Sequence, residues 1–291
     1  MSGNVNPTVR RRRLGQELRR LREDRQMTAE EVADRLLVSQ SKISRLENGR
    51  RSISPRDVRD LCGVYEVEDA KLVESLMQMA KESRQQGWWH AFAELSPSYS
   101  VYIGLEAEAS SLRVYEPQVM PGLLQTPAYA AAVISGALPE VSQEEVASRV
   151  QVRLRRQQRI WEDRTPLRLW AVVDESALRR AIGGAATMAE QLRHLEECSQ
   201  LPHVTLQVMP FSAGAHPGVN GQYTIMEFSE AADTTVIYLE GGTNDLYLEK
   251  PHDVQHYSIM YEHLRAQAYS PDQTRLFVRQ LIEEFDRQPT D

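Results

Sequence analysis

The sequence predicts two folds in tandem: an all-α, five-helix domain over residues 1–85 and, after a linker at 86–97, a mixed α/β (or α+β) domain over 98–291. Three observations carry this. The first 85 residues show only helical periodicity, broken by cap and stop signals into short segments. From residue 98 onward, runs rich in β-branched and aromatic residues alternate with amphipathic ones. Charge also divides along the chain, whose net charge is −7: residues 1–59 hold 15 Lys/Arg against 8 Asp/Glu, and the rest holds 19 against 33. A length of 291 residues suits two compact domains.

In the first domain, Leu14, Leu18 and Leu21 form one stripe of a helix over Arg10–Arg25. Thr28 with Glu31 is a capping box that opens a second helix, whose buried side is Val32, Ala33 and Leu36. After a turn at Leu37–Val38, Ser39 caps a third helix, Gln40–Glu47, which Asn48–Gly49 ends. Its inward residues are Ile43 and Leu46, leaving Gln40, Ser41, Lys42, Ser44 and Arg45 outward. Ser54–Pro55 opens a fourth helix and a fifth spans about Glu68–Arg84. Two short helices joined by a tight turn, the second presenting polar side chains from its N-terminal end, suit insertion into a DNA major groove. A basic module on an acidic body fits the same partner, since phosphate neutralisation is local.

The stretch TAEEVADRLLVSQSKISRLENGRRSIS resembles the helix-turn-helix of the phage-repressor, or xenobiotic-response-element, family, over roughly residues 10–85. The resemblance implies that Gln40, Ser41, Ser44 and Arg45 read base edges, and that Lys42, Arg50 and Arg51 contact phosphates. It assigns Arg10, Arg11, Arg12 and Arg13 to phosphates as well, or to a minor-groove arm. Two departures stand out. Ala29 replaces a phosphate-binding Gln, and Leu37 replaces the turn's usual Gly. A left-handed Leu costs about 1–2 kcal/mol, which predicts a turn that differs in detail.

In the second domain, strands are predicted at Leu112–Tyr115, Leu167–Val173, Val204–Met209, Gln222–Phe228 and Thr234–Leu239. Helices are predicted at Pro127–Ser135, Ser142–Asp163, Glu175–Ile182, Thr187–Gln200, Pro251–Ala268 and Pro271–Phe285. The segments YEPQVMPGLLQTPAYA, RVQVRLRRQQRI, ESALRRAIGG, LPHVTLQVMPFSAGAHPG and YLEGG together resemble the C-terminal domain of unknown function of actinobacterial WhiJ-type regulators, over about 95–280. That resemblance implies a regulator encoded beside a small partner protein, in an arrangement likened to toxin–antitoxin pairs. The arginines at 149, 153, 155, 156 and 159 read as a solvated helical face, which under that resemblance is also where such an acidic partner would dock.

Chemical constellations are sparse. There is no Gly-rich phosphate loop, no nucleophile elbow and no paired-Cys zinc signature in the sequence. His252, His256 and His263 share one helix face, but that face lies opposite the stripe of Val254, Tyr257, Tyr261, Leu264 and Ala268, so they point to solvent and no metal is predicted. Asp174 reads as an N-cap, and His216 sits in a Gly-rich loop that reads as a plain turn, with ligand lining as the alternative. Trp88 and Trp89 read as a seam between domains. Cys62 and Cys198, far apart and helical, read as buried thiols in a reducing cytoplasm, and no run of about 18 apolar residues predicts a membrane span. The expectation is a non-enzymatic, cofactor-free transcriptional regulator, a repressor that binds a double-stranded operator as a homodimer and whose C-terminal domain dimerises, senses a ligand or binds a small partner protein. The alternative is a toxin–antitoxin component or an enzyme with an appended DNA-binding domain.

Overall fold

The computed structural model describes residues 7–49, 51–84, 87–92, 95–162, 165–229, 235–242 and 245–288. The chain divides into two compact units, Met1–Ala91 with Tyr99–Glu108, and Phe92–Ser98 with Ala109–Asp291.

The first unit holds α1 (Pro7–Asp24), α2 (Ala29–Arg35), α3 (Gln40–Glu47), α4 (Pro55–Val64) and α5 (Ala70–Glu82), the five helices expected, followed by a 3₁₀ turn at Trp88–Ala91. Their apolar stripes meet in one core that includes Leu14, Leu18, Val32, Ala33, Ile43, Leu46, Val58, Leu61 and Leu76. The capping signals act as read. Thr28 and Glu31 bond reciprocally, Ser39 accepts from the Lys42 N–H, and Ser54 forms a second box with Asp57. Helices α1, α2 and α4 stop in the same way. The residues after their C-caps, Gln26, Leu37 and Glu66, have φ of 54, 53 and 52°. The next N–H reaches back five residues, from Met27 to Arg22 O, Val38 to Ala33 O and Val67 to Cys62 O. Met27, Val38 and Val67 then pack on the core, completing three Schellman motifs without a glycine. The turn at Leu37 therefore keeps left-handed geometry, against the expectation that it would differ. Core contact by Val38 on one side and the two backbone bonds on the other over-determine it.

Helix α6 (Pro97–Glu108) is absent from the sequence-based assignment, which treated the segment to 97 as linker. Its residues 102–106 are all buried, so the helix has no polar face and no 3.6-residue stripe.

The second unit is built on a six-stranded sheet in the order β3-β2-β1-β4-β5-β6, comprising β1 (Ser111–Glu116), β2 (Arg168–Asp174), β3 (Val204–Met209), β4 (Tyr223–Glu227), β5 (Val236–Leu239) and β6 (Leu246–Leu248). The β3-β2-β1 half is parallel and the β1-β4-β5-β6 half antiparallel. Helices α7 (Pro127–Ala137) and α8 (Gln143–Trp161) carry the chain from β1 to β2. Helices α9 (Glu175–Arg179) and α10 (Gly184–Cys198) carry it from β2 to β3, as parallel pairing requires. The sheet is mixed because β4 joins the far side of β1 antiparallel to it, and β5 and β6 follow as antiparallel neighbours. One face packs Tyr115, Val172, Met209, Tyr223, Ile225 and Ile237 against Tyr261 and Leu264 of α11 (Pro251–Gln267). Here Tyr261 donates to the Trp170 carbonyl at 2.6 Å, and Gln207 binds the Tyr269 carbonyl at 2.8 Å. Helix α12 (Pro271–Asp286) places the Thr274 hydroxyl under the Val208 N–H at 3.1 Å. All six helices and five strands read from the sequence are present; the three-residue β6 is an addition.

Candidate nucleic-acid interface

Helix α3 is held from behind. Ile43, Leu46 and Glu47 are buried, whereas Gln40, Ser41, Ser44 and Arg45 are exposed. Residues 40, 41, 44 and 45 follow the i, i+1, i+4, i+5 rhythm of a single helix face, so burying the opposite side brings these four together. Arg45 lies back along the helix, its Nε donating to the Ser41 carbonyl at 3.0 Å. Ser44 Oγ accepts from Asn48 Nδ2 at 3.3 Å.

Two ion pairs lock the helix in place, and neither was read from the sequence. Arg22 of α1 forks onto Glu47, with Nε–Oε1 at 2.7 Å and Nη2–Oε2 at 2.9 Å, and its Nη1 donates to the Met27 carbonyl at 2.6 Å. Both residues are buried, and the Glu47 hydrogen bond raises the Arg22 pKa further. Lys42, expected on phosphate, gives its ammonium to Asp57 at 2.9 Å. Burial pushes Asp57 up, but hydrogen bonds from Ser54 and Lys42 outweigh it and leave its pKa low. A pair separated by 25 residues leaves no periodic trace in the sequence; the only signal was a charged residue, Glu47, on the inward side of α3.

Glycines set the approach of α1. A Cβ at Gly15 would stand 2.4 Å from the Glu47 carbonyl oxygen, so α1 and the end of α3 touch backbone to backbone. Gly49, at φ +64, ends α3 under the Arg12 backbone, where a Cβ would fall 3.0 Å from Arg12 Cα. The basic cluster therefore sits beside the end of α3. Arg10–Arg13 lie inside α1 and not on an extended arm. Arg11, Arg12 and Arg13 are half-buried, and the Arg10 side chain lies outside what is described. Arg11 Nε is buried with no hydrogen-bond partner among the described residues, and burial, then Arg12, lowers the Arg11 pKa. Arg51 is exposed, and Arg50 lies outside the described residues.

Elsewhere, the arginines of α8 do not share one face. Arg156 is buried, Arg153 bonds Gln125 Oε1 at 2.6 Å, and Arg159 donates to the Ala109 carbonyl at 3.0 Å, while Arg155 is exposed. Packing of α8 on the rest of its unit turns part of the basic row inward. His252, His256 and His263 lie on the exposed face of α11, as read. Asp174 caps α9 through the Ser176 N–H at 2.9 Å. His216 Nδ1 accepts the Gly218 N–H at 3.1 Å, and its Nε2 stands 3.7 Å from Asp174 Oδ2.

No described helix is long and apolar enough to cross a membrane. Residues 13–76 match the family model described as a helix-turn-helix domain, in agreement with α1–α5. Residues 99–280 match the model described as a domain of unknown function, DUF5753. No curated protein and no solved structure matches the chain. The second match covers more than half of the sequence, and the chain belongs to the DUF5753 family, with a helix-turn-helix domain at its N-terminal end.

Proposed function

We propose that this chain is a sequence-specific, non-enzymatic transcriptional repressor of the phage-repressor-like kind, with a WhiJ-type C-terminal regulatory domain. The observation that carries the reading is the exposed quartet Gln40, Ser41, Ser44 and Arg45, standing on a helix whose other side is anchored by Ile43, Leu46 and the Arg22–Glu47 pair. Gln40 carries the amide that bonds adenine in two places, and the serines are less selective partners. Arg11, crowded by Arg12 and holding an unsatisfied Nε, gains from a nearby phosphate. One module of this size buries about 600–1,000 Å² on DNA, so operator affinity calls for a two-fold pair of chains on a palindrome.

The test is selection of a binding site from random duplexes, followed by fluorescence anisotropy with that site and a scrambled one. Gln40→Ala should weaken the selected site by about 1–3 kcal/mol and leave scrambled DNA nearly unchanged. Equal loss on both duplexes would remove Gln40 from base reading.

A further inference from the structure

Helices α7, α8 and α10 surround a cleft of about 480 Å³ in the second unit, within the range of small-molecule sites. Its apolar wall includes Pro127 and Leu154, and its polar wall Gln157, Glu190, His194 and Glu197. Arg193 also borders the cleft, but its Nη2 bonds both carboxylate oxygens of Asp286 at 2.6 Å, so its charge is already matched. Burial lowers the His194 pKa, which keeps the imidazole neutral at neutral pH, and its Nε2 lies 3.5 Å from Cys198 Sγ.

What remains is acceptor-rich and negative. Glu190 has no ion pair or hydrogen bond among the described residues, and Glu197 has only the neutral His194 ring at 4.0 Å. Gln157, 92% buried at a relative exposure of 8%, spends its amide nitrogen on the Gly122 and Gln125 carbonyls at 3.1 and 2.7 Å. That fixes the side chain, and among the described residues nothing donates to its Oε1. Glu190 and Glu197 are two turns apart, about 10 Å along the axis at ~1.5 Å per residue. A bound anion would meet two carboxylates with no unmatched cation. A neutral apolar molecule would bury the Gln157 oxygen unpaired.

We propose that this cleft binds a linear aliphatic di- or polyamine, with one ammonium at each of Glu190 and Glu197. The methylene chain lies against Leu154 and Pro127, and an N–H is directed to Gln157 Oε1. Binding is measured without DNA, so the site stands or falls separately from the DNA-binding reading.

The experiment is calorimetric titration of the full chain with spermidine at 0.15 M salt, with adipate as the dianionic counterpart. We expect one saturable site per chain for spermidine and none for adipate. Glu190→Gln with Glu197→Gln should weaken it at least about tenfold, or about 1.4 kcal/mol. A second double variant, Glu140→Gln with Glu144→Gln, makes the same change of net charge at exposed positions outside the cleft and should bind like the parent. All four residues are exposed, so both proteins should retain their melting temperatures. Absence of a saturable site, an unchanged affinity in the Glu190/Glu197 variant, or equal weakening in the two variants would overturn the proposal, the last by reducing the effect to bulk charge.

Discussion

Replacing Leu37 by glycine should stabilise the helix-turn-helix unit. Leu37 holds φ at +53 while the residue is 93% exposed, so it bears a left-handed backbone and gains almost no packing. The conformation costs an L-residue about 1–2 kcal/mol. Glycine removes that term but has more freedom to lose on folding, a penalty of about 0.5–1 kcal/mol. The difference is a net gain of about 0.5–1 kcal/mol, which for a domain of this size raises the melting temperature by roughly 2–8 °C. The Schellman bonds from the residue 37 and 38 N–H groups to the carbonyls of Asp34 and Ala33 are unaffected, because both are backbone. Leu37→Ala is the internal control: its Cβ retains the strain, so it should gain nothing. Urea and thermal unfolding of the full chain, followed by the transition of the helical unit, measure both variants. A gain for alanine equal to that for glycine, or a loss for glycine, would refute the strain argument.

Removing Glu47 should have the opposite sign and a larger size. Glu47→Ala leaves the Arg22 guanidinium buried without its carboxylate, a loss of about 3–5 kcal/mol in urea unfolding, whereas the apolar pair Arg22→Met with Glu47→Leu should lose far less. A cost for Glu47→Ala under about 1 kcal/mol would mean that water replaces the pair. Acid should act through Asp57, whose pKa in the folded chain is held below its ordinary value by Ser54 and Lys42. A depressed carboxyl contributes stability that is complete above about pH 4 and is lost as pH falls through the lower folded value. The stability gap between the parent and Asp57→Asn should therefore be level from pH 5 to 7 and close on further acidification. A gap that stays level to pH 2 would remove Asp57 from the acid response.

The helical unit was legible because its information is local. Caps at Thr28, Ser39 and Ser54 and stripes such as Leu14, Leu18 and Leu21 involve residues within one or two turns of each other, so spacing alone places them. The exposed positions of α3 followed from the same logic, since Ile43 and Leu46 define the inward side. Segments without a two-sided environment were not legible. Helix α6 is buried along residues 102–106, and β6 is three residues long, so neither has a periodic signature.

The sequence by itself determined the order of elements, the position of the outward polar side chains on α3 and the presence of two differently built domains. Tertiary structure alone decided what each charged residue does. Lys42 became a partner of Asp57, Arg22 and Glu47 a buried fork, and Arg153 and Arg159 inward donors on a helix that reads as a basic row. It also decided that the sheet is mixed, and that Leu37 keeps a glycine's conformation. The reason is range. Helix periodicity and capping are set by neighbours a few bonds away, whereas an ion pair, a strand's neighbour or a strained turn is settled by groups brought together only when the core closes.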